Sequence, residues 1–573
     1  MKRTLAMDCS FLRDTSGLPS VFGFDVAVNG IVQALLRYGT YDRFLFFHPP
    51  GKPAPVELAA RVRTGTELLL ESTTRIPAAI REQSITIWFQ PDTATEPVNY
   101  RTALARPLFP FSTMIHIACA PRLIRTQFLW LLLDGFVSCD SFICTSRAVR
   151  DAVRETLDYV AEEMRASTGA QLRYRGNLDV LPLGVDTDHF TPLPKIEVRR
   201  ELGWPEDAFI VLWFGRLSVV DKGDLLPAAR VFRRLVRANP NRRLQFVLAG
   251  NDRRDIPFVP SIHEFVARMG LAENVCILEN APQQFRHKMF AAADIFTSPI
   301  DNLQETFGIT PLEAMAMGTP QVVSDWDGYR DTVVHGVTGY RIPTYWSNCD
   351  GDEQTDYGIG GFGYQGFLFS QTVAIDLGEY EAAIQRLIDD PATLMAMSVA
   401  SRARALQVFS WKAVINAYEG LWAELAAAAQ RLRPSRLPRV PFGRAGICRR
   451  FASFPTAILN GSESIRISDD GRQLIAGLDP FPWHSSLEKN LVDADALLAS
   501  LTTLEQSPGT IEETVERLTG GIPARRPIAL RTVMWGFKHG LLECSVSANG
   551  DASPRFASSA PKQTVPQAQR SAD

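Results

Sequence analysis

The chain has 573 residues, 46% hydrophobic and 21% charged, a near-average composition that excludes whole-chain disorder, a collagen-like repeat and a long coiled coil. At roughly 100–200 residues per domain, that length predicts three or four units rather than one core. Lys and Arg number 60 against 63 Asp and Glu, and the net charge of −3 leaves no electrostatic footprint for nucleic acid or acidic lipid. The 8 cysteines are scattered without a CxxC pair, which predicts reduced thiols rather than a disulfide framework or a zinc site. Met1 to Thr4 lead straight into Leu5-Ala6-Met7-Asp8, too soon charged for a secretory h-region. The most apolar run, Phe128 to Val137, is broken by Asp134 and falls short of a membrane span. A cytoplasmic protein is expected.

Short apolar runs alternate with longer helical patterns, which predicts α/β architecture with parallel sheets. Strands are expected at 4–7, 43–47, 85–89, 113–117, 141–145 and 178–182, and a helix follows the Gly-containing stretch Ser16 to Gly23. A second series opens at Phe209-Ile210-Val211-Leu212-Trp213-Phe214 and continues with strands at 244–248, 275–278, 294–297 and 319–323. Between the two series, residues 182–194 are rich in Pro and Gly, as a linker is, and place a boundary near 195. Residues 348–367 read as an inserted loop. Helical patterns resume from Leu377 to about Ala429, and a Pro- and Arg-rich break at 433–438 follows.

The most informative stretch runs from Glu305 to Pro320. Thr310 reads as an N-cap, Pro311 as N1 and Glu313 as N3, a capping box that opens a short helix stopped by Gly318. A helix N-terminus after a Gly-containing turn offers free N–H groups and the positive dipole end to a phosphate. Glu305 and Glu313 could grip hydroxyls of one ligand, or Glu313 could merely complete the cap; spacing leaves both open. Phe214-Gly215-Arg216-Leu217 ends a strand, and Lys222-Gly223 follows before a helix from 225 to 237. Cations at the carboxyl end of a parallel strand stand where open α/β sheets bind ligands, and together they suit a diphosphate.

These pieces resemble the donor-binding half of a retaining GT-B glycosyltransferase of family 4. Arg216 and Lys222 match its G-R-x-x…K-G strand end, and Glu305 to Glu313 its E-x7-E motif. Asp325 to Asp331 with His335 to Gly339 resemble the stretch that follows, with Asp331 in place of the usual Glu. Phe409-Ser410-Trp411 is similar to its late F-S-W, and residues 182–192 to its interdomain P-n-G-V-D…F-x-P stretch. The likeness covers about residues 1–427 and implies two Rossmann-like domains facing a cleft. It divides the chain into an acceptor-side domain at 1–195 and a nucleotide-sugar-binding domain at 196–407. A helix at 408–432 would pack back toward the first domain.

The resemblance implies a role for each matching residue. Glu313 would bind ribose hydroxyls and Glu305 those of the donor sugar. Arg216 and Lys222 would bind the diphosphate, with backbone groups at Phe307, Gly308, Ile309 and Thr310. His116 would face the reacting sugar, and Gly23 would let the first loop approach the diphosphate, although Ser20-Val21-Phe22-Gly23-Phe24-Asp25 lacks the usual Gly-Gly pair. The implied enzyme is a retaining hexosyltransferase of polysaccharide or glycoconjugate biosynthesis. It would use a nucleotide sugar, an unidentified carbohydrate, lipid or other small acceptor, no cofactor and no metal; Asp325-Trp326-Asp327 is read as structural rather than as a metal-binding D-x-D. A sugar-nucleotide-binding regulator or scaffold without turnover is the rival reading.

Residues 435–545 are expected to form a small helical or winged-helix-like module, with helices at 487–504, 510–518 and 528–542 and a strand at 464–467. Without a basic cluster, it suits self-association or partner docking better than nucleic acid. No transmembrane segment is expected, and peripheral membrane contact stays open. Residues 546–573 are Ser-, Ala- and Pro-rich and are expected to be disordered.

Overall fold

The computed structural model describes residues 2–12, 23–51, 55–94, 97–98, 100–101, 108–116, 121–133, 135–220, 222–253, 256–303, 305–349, 351, 362–432, 453–455, 458–459, 461–481 and 491–545. The chain divides into two compact units, residues 1–442 and 443–573. The tail at 546–573 and most of the 348–367 insertion lie outside the described residues.

The first unit holds two parallel sheets. In one, β1 (Thr4–Asp8), β2 (Arg43–His48), β3 (Glu67–Ser72), β4 (Ile87–Gln90), β5 (Phe111–Met114), β6 (Ser141–Cys144) and β7 (Asn177–Val180) lie in the order β3-β2-β1-β4-β5-β6-β7. In the other, β8 (Phe209–Phe214), β9 (Leu244–Gly250), β10 (Val275–Glu279), β11 (Ile295–Ser298), β12 (Gln321–Ser324) and β13 (Gly339–Ile342) run β10-β9-β8-β11-β12-β13. The continuous apolar runs of β2 and β8 are buried on both faces, as strands sandwiched between helix layers must be. This is the two-sheet α/β arrangement that the resemblance implies.

Strand order reverses between β1 and β4 in one sheet and between β8 and β11 in the other. Open parallel sheets leave a crevice beyond the carboxyl ends of the strands at such points, because the flanking connections diverge to opposite faces. The loops after β1, β4 and β5 and those after β8, β9 and β11 therefore supply the site. One expected strand shifts in consequence: β5 stops at Met114, so His116 sits on the bend beyond it instead of inside a strand at 113–117.

The helical run after residue 377 is three helices, Leu377–Asp389, Pro391–Arg404 and Trp411–Arg431, with one π-helical turn between the last two. Tyr418 and Trp422 of the last helix pack on Phe89 of β4 at 5.8 and 5.0 Å between ring centres. Glu419 accepts the Thr40 N–H and hydroxyl, both at 2.6 Å. The inserted segment is not wholly loop: its last residues enter a helix, Phe362–Ser370, and the flanking strands β14 (Thr344–Trp346) and β15 (Val373–Ile375) pair antiparallel.

The second unit has its own core around Ile465, Leu497, Leu501, Val515 and Val533. It is helical, with helices Ala494–Gln506, Ile511–Thr519 and Arg526–Lys538 near their expected places, and Thr510 and Glu513 form a true capping box there. A three-stranded antiparallel sheet of β16 (Ser464–Ile467), β17 (Gly509–Thr510) and β18 (Leu542–Ser545) completes it, in the order β17-β16-β18. Cys9, Cys139 and Cys144 are buried free thiols.

Candidate functional site

A cavity of about 500 Å³ opens where the carboxyl ends of the two sheets of the first unit face each other. Gly23, His116, Arg216, Lys222, Glu305, Phe307, Gly308, Ile309 and Thr310 all line it. The chain brings these residues together across almost 290 positions because each belongs to a connection, or to the start of a helix, that follows a strand of one sheet or the other. A Cβ at Gly23 would meet no atom within 4 Å, so this wall is open for close approach.

The second-sheet wall depends on two backbone approaches. At Gly250, the last residue of β9, a Cβ would stand 1.6 Å from the Gly215 carbonyl oxygen, so only glycine lets the β8 and β9 ends run this close. Gly308 has φ +89° and caps the Ile309–Ala316 helix, and a Cβ there would lie 2.3 Å from the Tyr329 ring. This corrects the expected capping box. The helix starts at Ile309, one residue before Thr310, no side chain caps it, and its first residues line the cavity. A side-chain cap would have consumed one of the first-turn N–H donors.

Glu313, beyond the first turn, is likewise not a capping residue. It is 3% exposed and lies behind the cavity wall, where its Oε2 accepts from Arg286 Nε at 2.8 Å and pairs with Nη2 at 2.5 Å. Both contacts use one oxygen, which leaves Oε1 for a further donor. Burial pushes this carboxyl above the usual range, against the pull of Arg286. Arg286 lines the cavity and stacks over Phe214 at 4.9 Å. Arg286 and Arg253 were missed by the sequence reading; both follow strand ends of the second sheet, which was the available signal. The Lys222 ammonium lies 2.6 Å from Glu305 Oε2, so the expected diphosphate cation and the expected sugar carboxylate form one pair.

His116 is half-buried, and its Nε2–H donates to the Pro91 carbonyl at 2.6 Å. A carbonyl can only accept, so the proton sits on Nε2 and Nδ1 keeps a lone pair. Burial pushes the imidazole pKa down to about 4, so the ring is neutral at physiological pH. Phe24 packs perpendicular to it at 5.1 Å.

Beside the cavity the two halves are joined by polar contacts. Thr145 donates to the Thr306 carbonyl at 3.2 Å, and Thr306 donates to the His116 carbonyl at 3.3 Å. Ser146 Oγ donates to Asp327 at 3.2 Å, and Asp331 receives the Arg147 backbone and side-chain N–H groups, each at 2.6 Å. Burial lifts the Asp327 carboxyl to about 8. Asp325 instead pairs with Arg341 at 3.3 Å. Among the described residues no three His, Cys, Asp or Glu side chains are grouped to hold a metal ion.

Residues 194–349 match the family of glycosyl transferases group 1. A D-inositol 3-phosphate glycosyltransferase of Stackebrandtia nassauensis is 33% identical over 235 residues, 38% of this chain and 52% of that protein. Its counterpart in Thermobispora bispora is 27% identical over 298 residues, 50% of this chain and 61% of that protein. The chain thus spans only about half to three-fifths of the length of these curated relatives. The crystal structure of a glycosyltransferase from Rickettsia africae shares the fold, with a TM-score of 0.50 at 16% identity over 74% of this chain and 98% of that one. The two facing halves are a GT-B fold. No helix among the described residues is long and apolar enough to cross a membrane.

Proposed function

We propose that this chain, whose residues 194–349 form a glycosyl transferases group 1 domain, moves a glycosyl unit from a nucleoside-diphosphate sugar to a hydroxyl-bearing acceptor with retention. The observation that carries this reading is the convergence, in one cavity between two parallel-sheet halves, of Arg216, Lys222 and the uncapped N-terminus of the Ile309–Ala316 helix with Glu305.

As the bond to the diphosphate breaks, an oxocarbenium-like centre forms at the anomeric carbon and negative charge grows on the leaving oxygen. Arg216 offers a fork, Lys222 a compact charge and the helix about half a unit of positive charge. Groups fixed in place before reaction stabilise that charge without reorganising. Glu305, held by Lys222, receives hydroxyls of the donor sugar, and Glu313 Oε1 receives a ribose hydroxyl from behind Arg286. Neutral His116 presents Nδ1 to the transferred sugar. The acceptor hydroxyl attacks on the face the diphosphate leaves, and the departing phosphate oxygen takes its proton. The halves close to exclude water.

The matched relatives are named for D-inositol 3-phosphate, so phosphorylated polyols join carbohydrates and lipid-linked sugars in the acceptor panel. The test is nucleotide release from UDP-, GDP- and ADP-sugars, with and without acceptors and in excess EDTA. Release with one donor class, continuing in EDTA and giving a product of retained configuration, is the expected result. Absence of release with every donor overturns the activity. Loss in EDTA with recovery in manganese or magnesium overturns the metal-free charge assignment.

A further inference from the structure

The turn that carries Lys222 is held from outside the cavity. After β8 the chain turns at Ser218, whose carbonyl accepts the Lys222 and Gly223 N–H groups, each at 3.1 Å, and then enters the Leu226–Ala238 helix. Two adjacent residues beyond β11, neither of them lining the cavity, grip this turn on either side of Lys222. Asn302, 1% exposed, donates from Nδ2 to the Val220 carbonyl at 2.9 Å, and Asp301 Oδ2 accepts the Asp224 N–H at 3.4 Å. Trp326 fixes the gripping segment by donating from Nε1 to the Asn302 carbonyl at 3.0 Å. A Cβ at Gly366 would stand 3.3 Å from the Val220 oxygen, so the Phe362–Ser370 helix closes over the same spot.

Asp301 differs from Asn302 in being titratable and only half satisfied. Its Oδ1 is shielded from solvent without a hydrogen-bond partner among the described residues, and a Cβ at Gly223 would lie 3.3 Å from it. Burial, with the Asp224 carboxylate alongside, lifts this carboxyl to about 7 against the pull of the Asp224 N–H. Below about pH 7 the neutral side chain still accepts through Oδ2. Above it, an unpartnered buried charge faces a second carboxylate, and the cost is relieved when the turn lifts away toward water. The other described charged groups on these elements are Lys222 and Glu305, paired with each other, and Asp325 and Asp327 on either side of Trp326, held by Arg341 and Ser146. On the covering helix, residues 366–370 carry no charge. Among the described residues no cation pairs with Asp301.

We propose that Asp301 is a positioning residue that seats Lys222 at the leaving diphosphate, and that it does so in its neutral form. This rests on the glycosyl-transfer reading above. Full-length wild type, Asp301→Asn and Asp301→Ala are compared, each alone and combined with Lys222→Ala. Nucleotide release gives kcat/KM as a function of pH, and amide hydrogen exchange of residues 216–226, corrected for intrinsic rates, is followed over the same range without substrate. Wild-type kcat/KM should fall about tenfold between about pH 7 and about pH 8.5, and protection of the turn should fall with it. Asp301→Asn, neutral throughout, should lose that decline in both readouts and match wild type within about twofold near pH 6.5. Asp301→Ala, which frees the Asp224 N–H, should lose about tenfold at every pH. In the Lys222→Ala background the same change should cost less than about twofold, because the group it seats is gone.

A decline in Asp301→Asn like that of wild type, a wild-type profile flat across the range, or an Asp301→Ala loss undiminished beside Lys222→Ala overturns the proposal. Should Asp301→Ala not fold, the Asp301→Asn comparison decides. Exchange is read without substrate, so the two readings fail separately. Wild type that neither binds nor turns over any nucleotide sugar refutes the transferase reading, whereas active wild type whose exchange profile Asp301→Asn leaves unaltered refutes the seat alone.

Discussion

Replacing Lys222 with Ala should do more damage than the loss of one cation. The Lys222 ammonium and the Glu305 carboxylate are 2.6 Å apart, with side chains 27% and 12% exposed. At that separation unit charges attract by about 3–6 kcal/mol at an effective dielectric of roughly 20–40. Much of this offsets the desolvation of the two groups, so the coupling readable in a double-mutant cycle should be about 1–3 kcal/mol. Lys222→Ala removes positive charge from the leaving diphosphate and also leaves Glu305 uncompensated beside it. Its kcat/KM should fall by about 10²–10³-fold. Glu305→Gln should lose about 10²-fold through weaker contact with the donor sugar. In the double variant no bare carboxylate faces the phosphate, so its loss should stop near 10³-fold, well short of the product of the single losses. The assay is steady-state nucleotide release for all four proteins at fixed acceptor. A double variant that matches the product of the singles within about threefold would refute the coupled pair.

Two further outcomes follow from the buried carboxylates. Glu313→Gln sheds the cost of burying a charge but also replaces the ion pair with Arg286 by a neutral hydrogen bond, so the melting temperature should move by under about 3 °C. Nucleotide affinity, measured by titration calorimetry, should still fall about tenfold; an unchanged affinity would remove Glu313 and Arg286 from the ligand's surroundings. Asp327, with a folded pKa raised from 3.8 to about 8, binds a proton in the native state that the unfolded chain has released. Its contribution to stability is therefore full below about pH 4, declines as pH rises to about 8 and is constant above that. Asp327→Asn, which also suits the φ of +40° at this position, should flatten that decline in a pH series of denaturant melts; an unaltered slope would show that another group carries it.

The parts of this protein written as local pattern were legible before any fold was known. The apolar run Phe209–Phe214 could be little but an interior strand, and the Pro-rich stretch at 182–194 read as the connection between two series of strands and helices. His116, Arg216 and Lys222 could be singled out because their family motifs are continuous in sequence. The Thr310 reading failed for an instructive reason. Thr-Pro-x-Glu satisfies the statistics of a capping box, but the positive φ at Gly308 starts the helix two residues earlier, and the half-buried Arg286 claims the glutamate.

By itself the sequence determined the two α/β series, the break between them, the extra C-terminal module and the motif-borne half of the site, since periodicity and turn chemistry act over a few residues at a time. Only the tertiary structure decided which charges meet. Arg286 and Glu313 are 27 positions apart and Lys222 and Glu305 are 83 apart, distances over which no local pattern specifies a partner. Burial, which sets how strongly such a pair is coupled, is likewise a property of the packed chain: it depends on what the loops of the two sheets bring to face each other.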